Sequence, residues 1–121
     1  MNQNEIKKIL KEHGEWLRDP TRGKKADFGN KDLRYATFTC AILEKANFEG
    51  ANLSYADLRF ANLKNANLKN VNFCHSYLLN ANLLGANLEG ANLEGVKSNK
   101  CTIWCQADLD NIIKNSVKLE T

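Results

Sequence analysis

The sequence has little of the features by which membrane, secreted and disulfide-rich proteins are identified. In 121 residues it has one proline, one methionine and 8% aromatic residues, and its net charge is +3. No apolar run approaches the length of about 18 residues that a membrane-spanning helix needs. The N-terminal stretch is polar and charged, without the apolar segment of a secretion signal. We therefore expect a single cytoplasmic domain that does not enter a membrane.

The region that makes up most of the chain is nearly neutral. Residues 26–105 carry eight basic and seven acidic side chains, whereas residues 1–25 carry seven basic and four acidic ones. A surface that binds nucleic acid needs its basic side chains clustered on one face. The near-neutral region gives no basis for such a face, so we predict no nucleic-acid partner.

Residues that commonly carry catalysis or bind metals are few and poorly spaced. The chain has two histidines and four cysteines, with no Cys-x-x-Cys pair. A nucleophile needs a base and an orienting group that converge on it, and the sequence supplies no such set. Gly85, Gly90 and Gly95 lack the Gly-Lys-Ser/Thr ending of a phosphate loop. We predict no enzymatic activity, no catalytic residue, no metal and no cofactor.

What the sequence has in abundance is a repeat of five residues. From Ala26 to Gly95, fourteen blocks follow one another in unbroken phase. The third place is Leu or Phe in all fourteen blocks, the first is Ala in eleven, and the second is Asn or Asp in eleven. Blocks 96–100 and 101–105 continue the spacing with a different composition. A pattern of this length must reflect one recurring backbone geometry.

Neither a helix nor a flat strand gives a period of five. Five residues turn an α-helix by about 500°, which would scatter the third places around the axis. In a strand, an odd spacing would send them alternately to opposite faces. A coil in which each block forms one side of a polygon buries them all, with the small first residue also pointing inward. Asn or Asp at the second place then points outward and hydrogen-bonds the local backbone, and the last two places face solvent and vary freely.

The A-(N/D)-(L/F)-x-x pattern resembles that of the pentapeptide-repeat proteins. The resemblance implies an all-β solenoid, a right-handed quadrilateral β-helix with four blocks per coil. Residues 26–105 would then form about four coils, with equivalent residues every twenty positions. Some members of the family are acidic mimics of duplex DNA that modulate type II topoisomerases such as gyrase. This alternative function fits the present chain poorly, because its repeat region lacks a track of negative charge.

The two ends of the chain are predicted to cover the solenoid. Residues 1–25 read as an amphipathic capping helix and lead-in, since apolar residues recur at helical spacing between 4 and 17 and Pro20 follows. The His13-x-x-Trp16-Leu17 stretch resembles a lead-in found in this family. Residues 106–121 read as a C-terminal cap: Ala107-Asp108-Leu109 looks like one more block displaced by one residue, and a short helix with Ile112, Ile113 and Val117 is one interpretation of the rest.

Twenty-residue stacking predicts which side chains share a column. Tyr35, Tyr55 and His75 form an outward column whose stacked rings would stabilise neighbouring coils. In the same unbroken phase Cys101 falls on the small inward place, and Trp104 points outward over Leu84.

Large apolar side chains on outward places indicate a candidate protein-binding patch. Its members are Phe60, Tyr77, Leu79, Leu84 and Trp104. Exposed apolar clusters of this kind mark interfaces. We therefore predict a non-catalytic scaffold that presents a rigid surface to an unidentified protein partner or to a second copy of the chain.

Overall fold

The computed structural model describes residues 1–104 and the backbone of residues 118–120. The regular elements in these residues are the helix α1 (Gln3–Arg18) and the strands β1 (Lys97–Asn99) and β2 (Lys118–Glu120). Between them, single parallel β-bridges join the chain from Asp27 to Ile103. No helix in the described part of the chain is both long and apolar enough to span a bilayer.

The spacing of the bridges along the chain shows that the backbone coils. They join second-place residues that lie twenty positions apart, such as Asp27 with Asn47 and Asn47 with Asn67. The N–H of Phe28 donates to the carbonyl of Asn47 at 2.7 Å, and the N–H of Asn47 donates to the carbonyl of Ala26 at 3.0 Å. Each block is thus hydrogen-bonded to the block four places later, in the manner of a parallel sheet. The coil predicted from the five-residue period is present.

Each block ends in a sharp corner. The first-place N–H of the next block donates back to the third-place carbonyl, as from Ala36 to Leu33 at 3.1 Å, which closes a β-turn. The fifth residue of all fourteen blocks has a positive φ, between 57° and 74°. This is the third position of a type II turn, which favours Gly and Asn. The fifth place is therefore restricted by the backbone and is not the freely variable place that we expected.

Side chains at the corners also restrict one another between coils. A Cβ added at Gly50 or Gly90 would collide with the side-chain oxygen of Asn30 or Asn70, the fifth-place residue of the preceding coil. The asparagine thus uses the space above the glycine of the next coil.

The core consists of the third and first places, as predicted. All fourteen third-place Leu and Phe side chains are at most 1% exposed. In the first two coils the rings of Phe28 and Phe48 stack with centroids 4.9 Å apart, and Phe38 meets Phe28 edge-on at 5.4 Å. The first-place exception Lys31 is exposed at the edge of the first coil.

The helix α1 lies against this first coil. It begins after Asn2, whose side-chain oxygen accepts a hydrogen bond from the N–H of Glu5 at 2.9 Å, a typical N-cap. Ile6 and His13 are buried on the side facing the coil, and Ile9 and Leu10 are half-buried against the core. The predicted amphipathic helix is therefore present, with its apolar side on the solenoid.

The phase of the repeat shifts by one residue before Thr102. Tyr77 pairs with Lys97 twenty positions later, but Asn82 pairs with Ile103, twenty-one positions later. Ile103 therefore occupies a second place, and Trp104 occupies the inward third place, half-buried against the core.

Three expectations are corrected by this shift. The spacing is not continuous through 101–105, Trp104 does not point outward over Leu84, and Cys101 does not lie on an inward place. Cys101 is instead exposed in the turn that holds the extra residue.

Two side chains keep the hydrogen bonding intact at the shift. At regular corners the fifth-place N–H donates to a backbone carbonyl of the next coil, but that of Asn80 donates to the side-chain oxygen of Asn99 at 3.1 Å. The hydroxyl of Thr102 donates to the carbonyl of Leu78 at 2.8 Å and accepts the N–H of Asn99 at 3.1 Å. The extra residue is accommodated because the Asn99 side chain replaces a backbone acceptor for the N–H of Asn80, and the Thr102 hydroxyl accepts the N–H of Asn99 in place of a second-place side chain.

The strand β2 pairs with β1 in parallel, with Lys97 opposite Lys118 and Asn99 opposite Glu120. This offset of twenty-one residues equals one coil plus the extra residue before Thr102. Residues 118–120 are therefore a strand. The predicted block at 107–109 and the predicted helix with Ile112, Ile113 and Val117 lie outside the described residues.

Candidate interaction surface

The second-place Asn and Asp side chains face outward and are used by the fold. In all eleven cases the side-chain oxygen accepts the N–H of the fourth place in the same block, as Asn62 does from Lys64 at 3.1 Å. Some also bond between coils, such as Asn67 Nδ2 to Asn47 Oδ1 at 3.0 Å. The local hydrogen bonding predicted for this place is confirmed, and it stiffens the backbone under every outward side chain.

Three of the predicted patch residues lie on one side of the solenoid. Phe60 is 59% exposed at a corner, and its N–H donates to the carbonyl of Leu79 in the next coil at 3.0 Å. Tyr77 and Leu79 are half-buried. The ammonium of Lys97 lies 4.4 Å from the ring centroid of Tyr77 and donates to its hydroxyl at 3.1 Å. A cation–π contact of this kind holds the Tyr77 ring along the surface.

Leu84 lies on the adjacent side and is 49% exposed. Trp104 does not join it, because the phase shift turns Trp104 toward the core. Because of the shift, Ile103 lies on the side of Leu84 and is 46% exposed. Ile42 of the first coil lies on the same side and is 59% exposed.

Sequence reasoning did not include these two isoleucines in the patch. Ile42 was visible as an exception to Asn or Asp at the second place, whereas Ile103 required knowledge of the shift. We use the name outer patch for Phe60, Leu79, Leu84 and Ile103.

Two outward aspartates are neutralised within their own blocks. Arg59 donates hydrogen bonds to the carboxylate of Asp57 from both Nε and Nη2, the latter at 2.7 Å. These hydrogen bonds lower the pKa of Asp57. Arg34 does the same to Asp32, whose pKa falls to about 2. Second and fourth places share a face, so a carboxylate and a guanidinium at these places pair directly.

The aromatic column forms as predicted. The rings of Tyr35 and Tyr55 stack with centroids 5.1 Å apart, and those of Tyr55 and His75 stack at 5.1 Å as well. The Tyr55 ring is therefore stacked on both faces within the chain, and such contacts stabilise neighbouring coils. We assign this column to the stability of the solenoid.

Metal-binding side chains are dispersed in the part of the chain that the structure describes. No three His, Cys, Asp or Glu residues come together there. Cys40, Cys74 and Cys101 are free thiols.

Comparison with known proteins gives the family. A sequence model of pentapeptide repeats matches residues 24–54 and 56–95 in eight copies, which is more than half of the chain. The chain therefore belongs to the pentapeptide-repeat family. No curated protein sequence matches it.

Solved structures of pentapeptide-repeat proteins also resemble it. The protein alr5209 from Nostoc PCC 7120 is 24% identical with a TM-score of 0.58, and the match covers 93% of this chain and 95% of that one. This likeness concerns the fold alone.

Two further structures match over part of their length. Rfr23 from the cyanobacterium Cyanothece 51142 is 36% identical, with a TM-score of 0.38 and coverage of 65% of this chain and 57% of that one. QnrB1, a plasmid-mediated fluoroquinolone resistance protein, is 18% identical, with a TM-score of 0.38 and coverage of 81% and 60%. The chain thus spans less than two thirds of either protein.

Proposed function

We propose that this protein is a non-catalytic interaction module of the cytoplasm. Its framework is a right-handed quadrilateral β-helix of about four coils, and its rigid outer surface binds another protein or a second copy of the chain. Family membership, the twenty-residue register and the corner after every fifth residue support this framework.

One observation carries the functional part of the proposal. Phe60 and Leu84 are 59% and 49% exposed, although the fold does not require apolar residues at their places. The Phe60 column has Asn80 in the next coil, and the Leu84 column has Lys64 in the preceding coil. Exposed apolar side chains that the fold does not need lower solubility, and the centres of protein interfaces are enriched in them. Binding is the role that explains their presence.

The alternative, a mimic of duplex DNA that modulates a type II topoisomerase, has less support. Such a mimic needs unpaired carboxylates in a regular track. On the described surface, Asp32 and Asp57 are each paired with an arginine two residues later. The charge that a topoisomerase would have to recognise is therefore cancelled at these places.

The test exchanges patch residues for residues of the same column. We expect a Phe60→Asn, Leu84→Lys variant to keep the free energy of unfolding within about 0.5 kcal/mol, because the changes are exposed and Asn suits the positive φ of place 60. Self-association in sedimentation velocity, or capture of a partner protein, should be lost. Tyr35→Asn is the matched control, since it removes an exposed aromatic residue from another corner.

The proposal fails if the double variant retains both self-association and partner capture at wild-type levels. It also fails if the Tyr35→Asn control loses binding to the same extent, because the effect would then not belong to the outer patch.

A further inference from the structure

His13 is the most completely enclosed polar side chain of α1. It is 0% exposed, and both ring nitrogens make hydrogen bonds to backbone groups of the first coil. Nδ1 lies 2.9 Å from the nitrogen of Ala26, and Nε2 lies 2.8 Å from the carbonyl oxygen of Glu44. One side chain thus joins the helix to the start and the end of the first coil.

These two contacts define the protonation state of the ring. The N–H of Ala26 donates to Nδ1, so Nδ1 must be the unprotonated nitrogen. The carbonyl of Glu44 can only accept, so Nε2 must carry the proton. The arrangement needs a neutral imidazole with its hydrogen on Nε2.

The contact with Glu44 replaces one that the first coil lacks. In later coils the fourth-place carbonyl accepts an N–H from the preceding coil, as Glu49 does from Asn30 at 2.9 Å. α1 stands where a preceding coil would be, and His13 supplies the donor. An open parallel edge of this kind is a site of unwanted pairing unless something covers it.

Gln3 covers a second part of the same edge. Its amide nitrogen donates to the carbonyl of Thr37 at 2.8 Å, and its amide oxygen accepts the N–H of Thr37 at 3.2 Å. Gln3 and His13 lie near opposite ends of α1, so the helix is attached to the edge at two points. The Gln3 attachment does not change with pH, whereas that of His13 does.

We propose that His13 makes α1 an acid-released cover of the N-terminal edge of the solenoid. Protonation at Nδ1 would set one N–H against that of Ala26, and the helix would leave the coil to relieve this contact. The device does not depend on the outer patch or on its partner.

The surroundings of the ring shift the pKa of His13 in both directions. Burial lowers the pKa of His13 below its ordinary value of 6.5, and the cation of Lys25 lowers it further. The hydrogen bond to the backbone of Glu44 and the carboxylate of Glu44 raise it, but burial is the largest effect. Trp16 stacks on the ring at 5.6 Å, with Lys25 at 5.9 Å from the Trp16 ring centroid.

The sign of the pH dependence follows from this direction. The pKa is lower in the docked state than in the released state, so docking is strongest above pH 6.5 and weakens as the pH falls from there toward the docked pKa. Release coupled to uptake of one proton increases the opening constant of α1 up to about tenfold per pH unit in that window.

The experiment uses the full chain with His75→Asn. This change removes the other histidine, and it places Asn above Gly95 in the way that Asn70 lies above Gly90. Amide hydrogen exchange, corrected for the intrinsic exchange rate, gives the opening constant of α1 between pH 7.5 and 5.5. We expect the opening constant of α1 to rise as stated, and to stay larger than that at Leu63 in the second coil, because exposure of the buried Leu63 requires the coil itself to unfold.

Two results would overturn the proposal. The first is a pH-independent opening constant of α1, or one whose slope persists when His13→Phe is added. The second does not depend on folding of that variant: in the His75→Asn protein, NMR titration of the His13 ring would show proton uptake while the α1 resonances remain those of the docked helix.

Discussion

The middle coils and the segment from 96 to 104 keep the same hydrogen bonds by different means. In the middle, backbone groups twenty residues apart pair with one another, and the pattern repeats with each block. In the later segment an extra residue would break this pairing, but the side chain of Asn99 accepts the N–H of Asn80 and the hydroxyl of Thr102 accepts the N–H of Asn99. The difference shows that the coil depends on satisfied edge groups and an occupied interior rather than on the strict five-residue spacing.

The largest expected effect lies in the regular region. Leu63→Ala removes a fully buried third-place side chain and should lower the free energy of unfolding by about 2–5 kcal/mol. Its outward neighbour makes the matched control: Lys64→Ala should cost under about 0.5 kcal/mol. Urea denaturation measures both. Similar losses for the two variants would contradict the division into inward and outward places.

An intermediate effect is expected at Trp104 and tests the phase shift. Since Trp104 occupies a half-buried third place, Trp104→Ala should cost about 1–3 kcal/mol, less than truncation of a fully buried ring. Leu84→Ala, at an outward fourth place, should cost under about 0.5 kcal/mol. If Trp104→Ala cost as little free energy of unfolding as Leu84→Ala in the same denaturation experiment, Trp104 would point outward and the repeat would continue in phase through residues 101–105.

The smallest of the three effects compares two asparagines. Asn99 bonds to Asn80 through both side-chain atoms and accepts the N–H of Cys101, whereas among the described residues Asn87 accepts only the N–H of Glu89. We expect Asn99→Ala to cost about 1–2 kcal/mol and Asn87→Ala about half of that. The midpoint temperatures of thermal unfolding of the two single variants measure this difference. Equal midpoints would show that the side chain of Asn99 does not replace a backbone partner.

Much of the fold could be predicted because each place of the repeat occurs in the same environment fourteen times. Fourteen copies of a large apolar third place identify the interior without any structure. The positive φ of the fifth place was also readable, since Gly or Asn fills it in eight blocks, but the six other residues there hid the signal. A backbone constraint that many residue types tolerate leaves a weaker pattern than burial does.

What could not be predicted occurs in single copy. The contacts of His13 and Asn99 join a side chain to a distant backbone group, and no repeat amplifies them. The phase shift had one signal in the sequence. If Ala107 begins the predicted displaced block, the block before it begins at Thr102 rather than at Cys101. The sequence pattern places the displacement one block too late because residues 101–105 resemble neither phase well. The members of the candidate surface changed accordingly, from Trp104 to Ile103.

The asparagines above glycines have a consequence for how such a chain can change over time. Asn70 fills the space above Gly90, so a larger residue at 90 is accepted more easily once 70 has changed than while the Asn70 side chain must move aside. Substitutions along a corner column are therefore ordered, and their effects are epistatic between coils. Asn80 is the exception among the described fifth-place asparagines, because no glycine follows it twenty residues later. Its side chain bonds to Asn99 instead, at 2.8 Å, and it is there that the repeat loses its phase.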